Sequence, residues 1–217
     1  MLFRSPKSVL TIKESAFSGC KKLTSIELPE GLKEVGSSAF YQCISLLTVE
    51  LSDTVTNLGE SVFDQCENLR SVHLPLMLTD LKESLFGGCT NLVSINIPPR
   101  IQTIGKEIFS GCKNLERIDV SQGNMSFILD KGALYTNEME LLLVPPALIE
   151  NGEYSITGGT RSIGKHAFYG FETLVSIKIP ESVESIADGA FKQCENLVSI
   201  TIPESVHLFG KYVFDSC

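Results

Sequence analysis

The sequence predicts an α/β solenoid, in which short coils stack on one another and share a continuous core. Phenylalanine recurs with a constant period of twenty-three, a cysteine follows most of these phenylalanines in the third position, and each interval contains a short stretch with alternating apolar residues. The phenylalanines are Phe17, Phe40, Phe63, Phe86 and Phe109 and, after one longer interval, Phe168, Phe191 and Phe214. Because a unit of this length cannot cover its own apolar face, neighbouring units must stack.

The alternating stretch of each unit predicts a short β-strand. In residues 25–29, Ile26 and Leu28 alternate with polar residues, and Pro29 follows. Alternation is typical of a strand with one buried face, and a proline ends the strand because it has no N–H to donate. The same pattern recurs at eight places, so we expect eight parallel strands about 4.8 Å apart.

The segment around each phenylalanine predicts one or two helical turns. In the first unit the apolar residues are Ala16, Phe17 and Cys20, at positions i, i+1 and i+4. This spacing is typical of one face of a helix. Each unit is therefore expected to run strand, turn, short helix, turn.

One enlarged coil interrupts the period. The interval from Phe109 to Phe168 is more than twice the regular one, and the strand pattern resumes at Tyr154 and Ile156, so a single longer coil lies at about 121–157. Within it, residues 132–135 and 141–144 flank a polar turn at 136–138 and predict a hairpin. We expect residues 1–217 to form a single domain.

Composition excludes several classes of protein. The 217 residues include 18 basic and 26 acidic residues, a net charge of -8 that disfavours nucleic acid and anionic membranes as partners. The longest apolar run, residues 141–149, is broken by Pro145 and Pro146, so no membrane insertion is expected. Residues 1–15 contain no continuous apolar stretch that would predict a secretory signal.

The seven cysteines predict packing rather than chemistry. No C-x-x-C pair occurs, so no metal site and no cofactor are expected. Stacked equivalent positions hold thiols parallel at strand spacing, which disfavours disulfides. Phe171 replaces one cysteine of the series, which indicates that the position requires apolar filling.

The repeated motif resembles the BspA-like leucine-rich repeats. In order along the unit, the motif consists of Ile or Val, Gly, Ala-Phe, Cys, Leu, and a terminal Ile-x-Leu/Ile-Pro. The enlarged coil is similar to a variant unit of that family, on the basis of Phe127 and residues 131–135 and 142–145. The resemblance implies a right-handed leucine-rich repeat solenoid with a curved parallel sheet on its concave side and helical turns on its convex side. It also implies a non-catalytic, extracellular or cell-surface bacterial protein that binds host or partner macromolecules.

The outward strand positions supply the candidate binding residues. They would present polar side chains to a protein or glycan, on a concave surface that also carries a ladder of Ser and Thr hydroxyls. Arg117 interrupts that ladder beside the enlarged coil, where unlike groups would lie side by side. The candidates are Glu27, Glu50, His73, Asn96, Arg117, Asp119, Lys178 and Thr201.

Two other functions stay open at this point. The chain could be a structural spacer that holds other domains away from a cell surface. It could also be a glycan-active enzyme, because Glu27 and Glu50 on adjacent strands would approach the ~5–5.5 Å carboxylate separation of a retaining glycosidase. An open strand face offers no dry pocket to raise the pKa of a catalytic acid, which favours a solvated acidic stripe. His73 could pair with Glu50 on the neighbouring strand.

The ends of the repeat array predict self-association. Solenoids need caps over their end faces, and neither end of this sequence carries a polar capping segment. We therefore expect light scattering to detect association of the chain through its ends.

Overall fold

The computed structural model describes residues 2–217 as two compact units. The first ends at Leu115 and also contains Asp119–Met125, and the second contains Glu116–Ile118 and Ser126–Cys217. The strands, in chain order, are β1 (Leu2–Arg4), β2 (Thr11–Ile12), β3 (Ser25–Glu27), β4 (Glu34–Val35), β5 (Thr48–Glu50), β6 (Asn57–Leu58), β7 (Ser71–His73), β8 (Asp80–Leu81), β9 (Ser94–Ile97), β10 (Thr103–Ile104), β11 (Arg117–Val120), β12 (Phe127–Asp130), β13 (Ala133–Thr136), β14 (Glu140–Leu143), β15 (Glu153–Ser155), β16 (Ser162–Ile163), β17 (Ser176–Lys178), β18 (Ser185–Ile186), β19 (Ser199–Thr201) and β20 (Leu208–Phe209).

The longer strands form the parallel ladder that the alternating pattern predicts. β1, β3, β5 and β7 pair in that order in the first unit, and β15, β17 and β19 pair in the second. Partners occupy equivalent positions of successive repeats, as Ile26 and Val49 do, and both of these side chains are buried. β1 is an additional strand that the sequence did not predict. Its residue Phe3 lies one repeat length before Ile26 and pairs with it, but Phe3 precedes the first complete motif.

The shorter strands form a second parallel ladder within each unit. In the first unit β2 pairs with β4 and β4 with β6, while β8 pairs with β10. In the second unit β14, β16, β18 and β20 pair in that order. The glycine after several of these strands is required by the close approach of the coils, since a Cβ on Gly36 would lie 2.5 Å from the amide nitrogen of Glu14.

The segments expected to be helical are chains of turns, so that prediction was wrong. In a helix every N–H donates to the carbonyl one full turn back, whereas here alternate N–H groups leave the coil. The N–H of Phe40 donates to the carbonyl of Val62 in the next coil at 2.9 Å, and the N–H of Tyr41 donates locally to Ser38 at 3.0 Å. Positive φ angles on either side of the phenylalanine, at Ser38 (55°) and Gln42 (56°), prevent helix continuation. The one helix among the described residues is a 3₁₀ turn at Pro146–Leu148.

The phenylalanines stack into a column inside each unit. In the first unit the rings from Phe17 to Phe109 lie 5.3–5.7 Å apart, with interplanar angles of 4–6°. In the second unit Phe168, Phe191 and Phe214 stack at 5.1 and 5.5 Å. These spacings lie within the favourable range for offset aromatic pairs.

The cysteines are free thiols, and most of them also link neighbouring coils. Each of six thiols donates a hydrogen bond to the carbonyl of the phenylalanine in the preceding coil, with sulfur–oxygen distances of 2.9–3.2 Å. The sequence predicted apolar packing alone, and the structure adds this hydrogen bond. Phe171 replaces this cysteine in the coil that follows the enlarged coil. One repeat length before Phe168, the enlarged coil has Pro145 in the place of a phenylalanine. The ring of Phe171 packs edge-on against Phe168 at 5.6 Å.

Burial sets the chemistry of these thiols. It raises the pKa of Cys43 to about 11 and that of Cys194 to about 12. It also raises the pKa of Cys66, Cys89 and Cys112. The thiolate is the nucleophile and the metal ligand, and burial keeps these five groups in the protonated thiol form at neutral pH.

The enlarged coil contains a three-stranded antiparallel meander. β12 pairs with β13, and β13 pairs with β14 across the segment where the sequence predicted a hairpin. Lys131 and Gly132, which connect β12 and β13, both have positive φ (48° and 86°), as a two-residue type I′ turn requires. β14 then enters the ladder of shorter strands by pairing with β16.

Candidate binding face on the long strands

The long-strand face of each unit consists of the outward side chains of its longer strands, β1, β3, β5, β7 and β9 in the first unit and β15, β17 and β19 in the second, with β11 divided between the two units. The middle residues of β3, β5 and β7, which are Ile26, Val49 and Val72, are buried, and the residues on either side of them point outward. Strand hydrogen bonding and the buried middle residue therefore hold each outward side chain at a fixed position.

Glu27 and Glu50 lie on neighbouring strands of the first unit, as the sequence predicted. Arg4, which the sequence analysis missed, occupies the equivalent position on β1, and its Nε lies 3.0 Å from Oε2 of Glu27. Its position one repeat before Glu27 was the signal that could have identified it. Both partners are exposed, so the pair contributes little stability and remains available to a ligand.

His73 pairs with a residue other than the one considered from the sequence. Its Nε2 lies 3.4 Å from Oδ1 of Asp53, which follows β5 in the connecting turn, and the same carboxylate oxygen accepts the N–H of Leu76 at 3.0 Å. Glu50 is the register partner of His73 on the neighbouring strand, but its carboxylate is not the ion-pair partner. The loop residue Asp53 therefore belongs to the face.

Asn96 is held by a reciprocal pair of hydrogen bonds with Ser121. Its Nδ2 donates to Oγ of Ser121 at 2.9 Å, and the Ser121 hydroxyl lies 3.2 Å from its Oδ1. The amide orientation is therefore fixed at this point of the face. Ser121 was also missed, because nothing in the repeat pattern distinguishes it from other turn residues.

The remaining candidates lie on the long strands of the second unit and on β11. Lys178 and Thr201 are in register on β17 and β19 of the second unit, beside Ser155 of β15. Arg117 and Asp119 both lie on β11, where Arg117 is exposed and Asp119 is half-buried.

The paired carboxylates of the face are surrounded by solvent. Glu27 and Glu50 are both solvent-exposed, and catalysis by paired carboxylates requires one of them to sit in a dry environment that raises its pKa. Within residues 2–217 no three His, Cys, Asp or Glu side chains converge to hold a metal ion. The described residues also contain no apolar helix with the length that a membrane span requires.

A recess of about 650 Å³ lies along the shorter strands of the second unit and was not predicted. Ser162 and Ser185 lie on the two middle strands of this ladder, between Glu140 on β14 and Leu208 on β20. Glu140 is half-buried, and burial together with the neighbouring charge of Glu138 raises its pKa. The recess forms between residues of neighbouring strands, so its position could not be predicted from a motif within one segment.

Comparison with known proteins identifies both the repeat and the fold. The family model described as BspA type leucine-rich repeat region matches residues 2–141 and 148–217 in six copies. A solved structure of a leucine-rich cell surface protein from Faecalibacterium prausnitzii A2-165 is similar with a TM-score of 0.86 and 32% sequence identity, covering 98% of this chain and 56% of that one.

Two further solved structures support the same fold. A leucine-rich repeat protein from Eubacterium ventriosum has a TM-score of 0.84 and 25% identity, covering 96% of this chain and 55% of its own. The pneumococcal vaccine antigen PcpA has a TM-score of 0.86 at 22% identity, covering 99% of this chain and 59% of that one. The chain thus spans little more than half the length of these three proteins. Comparison with curated proteins gives no match.

Proposed function

Because the chain belongs to the BspA type leucine-rich repeat family, we propose that it is a non-catalytic binding module that presents its long-strand face to a protein or glycan partner. The observation that carries this proposal is the ordered row of exposed polar side chains, each beside a buried or half-buried neighbour on the same strand. A surface that is ordered before binding loses little conformational entropy when a partner docks.

The chemistry of the face favours a polar partner of mixed charge. The carboxylates of Glu27 and Glu50 lie on the two strands between Arg4 of β1 and His73 of β7, and Asp53 contacts His73. Lys178 adds a cation in the second unit. Such a surface makes many modest hydrogen bonds and ion pairs and offers no continuous positive stripe for a polyanion.

We further propose that the module acts at a bacterial cell surface. The Faecalibacterium prausnitzii protein, at 32% identity, is described as a leucine-rich cell surface protein. A partner reached from that location would be a host or surface macromolecule. A rigid array of repeats suits this role because extended faces contact large partners at many points.

Binding measurements on single alanine variants test the proposal. The intact chain is screened by surface plasmon resonance against purified matrix proteins and neutral glycans, and the screen is repeated with Glu27→Ala, Glu50→Ala, Arg117→Ala and Asp119→Ala. Glu60→Ala is the matched control, because Glu60 is an exposed carboxylate that follows the shorter strand β6. We expect weaker binding for variants of the long-strand face, unchanged binding for the control, and unchanged circular dichroism for all.

Other outcomes would overturn the proposal. Failure of the intact chain to bind every probe would favour the structural spacer. Equal losses for Glu27→Ala and Glu60→Ala would place binding elsewhere on the protein. Glycan hydrolysis that disappears in either Glu27→Ala or Glu50→Ala would establish the enzyme instead.

A further inference from the structure

One two-residue turn in the second unit contains the only asparagine–glycine pair of the sequence, Asn151 and Gly152. It connects Glu150 and Glu153, whose N–H and carbonyl groups bond to each other at 2.8 and 3.2 Å. Both turn residues have positive φ, 51° for Asn151 and 83° for Gly152. A type I′ turn requires this backbone and favours asparagine followed by glycine, so the turn explains why the pair is present.

The contacts of Gly152 exclude a larger residue after Asn151. A Cβ at position 152 would lie 2.7 Å from Cγ2 of Val175, and a φ of 83° is strained for a residue with a side chain. The carbonyl of Gly152 also accepts the N–H groups of Val175 and Ser176, at 2.7 and 3.0 Å. The turn is therefore bonded to the start of β17, and the fold itself keeps glycine beside Asn151.

The two groups that react in an asparagine–glycine pair are accessible at this turn. The side chain of Asn151 is exposed and forms no hydrogen bond within residues 2–217. The N–H of Gly152 likewise has no acceptor in the described part of the chain. The other eight asparagines precede leucine, isoleucine, methionine or glutamate, whose side chains hinder approach to the next backbone nitrogen. Asn151 is therefore the asparagine whose side chain the following nitrogen reaches with the least hindrance.

From these contacts we propose that Asn151 is a site of spontaneous deamidation. The nitrogen of Gly152 gives up its proton and forms a bond to Cγ of Asn151, and the side-chain nitrogen leaves as ammonia, which closes a five-membered succinimide ring. Water then adds to one of the two ring carbonyl carbons, the bond from that carbon to the ring nitrogen breaks, and the nitrogen regains a proton. Cleavage at Cγ leaves aspartate, and cleavage at the main-chain carbonyl carbon leaves isoaspartate. Either route consumes one water and releases one ammonia.

Isoaspartate changes the turn more than aspartate does. It adds one methylene to the backbone between Glu150 and Glu153, whereas both products add a negative charge beside these exposed carboxylates. The extra backbone atom breaks the match between turn length and strand pairing. Because the carbonyl of Gly152 bonds to β17, the disturbance reaches the strand that carries Lys178. We expect isoaspartate at this position to lower the stability of the second unit.

Peptide mapping by mass spectrometry tests the site. The intact chain is incubated at 37 °C and pH 8 for several weeks, and fragmentation assigns each modified residue. We expect a mass gain of about one dalton at Asn151 before any other asparagine, with isoaspartate detected by isoaspartyl methyltransferase. The gain should be slower at pH 6, because ring closure requires the deprotonated nitrogen. Asn151→Gln is the matched control: glutamine adopts positive φ at Gln42 and Gln65 in this fold, but its longer side chain disfavours ring closure.

Three results would overturn the proposal: no mass gain at Asn151 in the folded chain, an earlier gain at another asparagine, or an equal gain at residue 151 in the Asn151→Gln variant. The deamidated fraction, separated by anion exchange, should have a lower urea midpoint than the unaltered chain. An Asn151→Asp variant adds the charge without the methylene and should keep the midpoint of the unaltered chain. Equal midpoints for the deamidated fraction and this variant would contradict the disturbance of β17.

Discussion

Replacement of Phe63 by leucine isolates the contribution of the phenylalanine column to stability. Phe63 is fully buried, and its ring stacks on Phe40 at 5.6 Å and on Phe86 at 5.7 Å. An aromatic pair contributes about 0.5–1.5 kcal/mol beyond the burial of its area. Leucine remains apolar but loses both ring contacts, so Phe63→Leu should lower the free energy of unfolding by about 1–3 kcal/mol.

The repeat supplies a matched control at the end of the second unit. Phe214 occupies the same position in its coil, but among residues 2–217 it stacks only on Phe191, at 5.5 Å, and it is 36% exposed. Phe214→Leu should therefore destabilise by at most about 1.5 kcal/mol, and by less where solvent replaces the ring.

Urea unfolding followed by circular dichroism measures both effects. The midpoint should fall at an unchanged slope, because neither variant alters the surface exposed on unfolding. Equal destabilisation by the two variants, or a loss below about 0.5 kcal/mol for Phe63→Leu, would refute the additive contribution of stacked rings.

Four other predictions concern titration and cooperativity. Thiol labelling of the native chain at pH 8 should modify Cys20 and Cys217 quickly and the five buried cysteines slowly, whereas the denatured chain should show seven reactive thiols. The free energy of unfolding should fall as the pH rises above 9.0, the ordinary pKa of a thiol, because the folded protein retains protons that the unfolded chain releases; a urea midpoint that stays constant from pH 8 to 10 would contradict this. Glu140→Gln should raise the melting temperature at pH 7 and have little effect at pH 4, because a carboxyl group with a raised pKa destabilises the fold once it ionises; Glu204→Gln, at an exposed site, should have no such effect. Calorimetry should give one unfolding transition if residues 1–217 form the single domain that the sequence predicts, and two separated transitions would exclude it.

The strand ladders could be predicted because their cause is local and repeated. Alternating apolar residues such as Ile26 and Leu28 are typical of a strand with one buried face. The constant repeat length then places Ile26 beside Val49 on the neighbouring strand. β1 was missed only because Phe3 precedes the first full motif. The same spacing identifies its outward residue Arg4.

The conformation of the turn segments could not be derived from the apolar pattern. Apolar residues at i, i+1 and i+4 fit one face of a helix, and they equally fit turns that bury Phe17 and Cys20 while alternate N–H groups bond to the next coil. The available signal was glycine at position 19 and again at 88, where φ is positive.

Side-chain partners outside the repeat were also beyond local reasoning. Asp53 reaches His73 from a turn whose path the repeat does not specify. The recess beside Glu140 is lined by Ser162 and Ser185, which lie between the larger residues Glu140 and Leu208 of the neighbouring strands. The enlarged coil supplies β14, the strand that pairs with β16 in this ladder. Positions that depend on neighbouring coils require the folded structure.

The long-strand face and the thiol chemistry both depend on coils that stack with equivalent positions in register and bond through alternate N–H groups. NMR couplings transmitted across hydrogen bonds measure this arrangement directly. The amide nitrogen of Phe40 should couple to the carbonyl carbon of Val62, whose oxygen lies 2.9 Å away in the next coil. Coupling to the carbonyl of Gly36 instead would indicate a helical segment and would contradict the stacked-turn architecture.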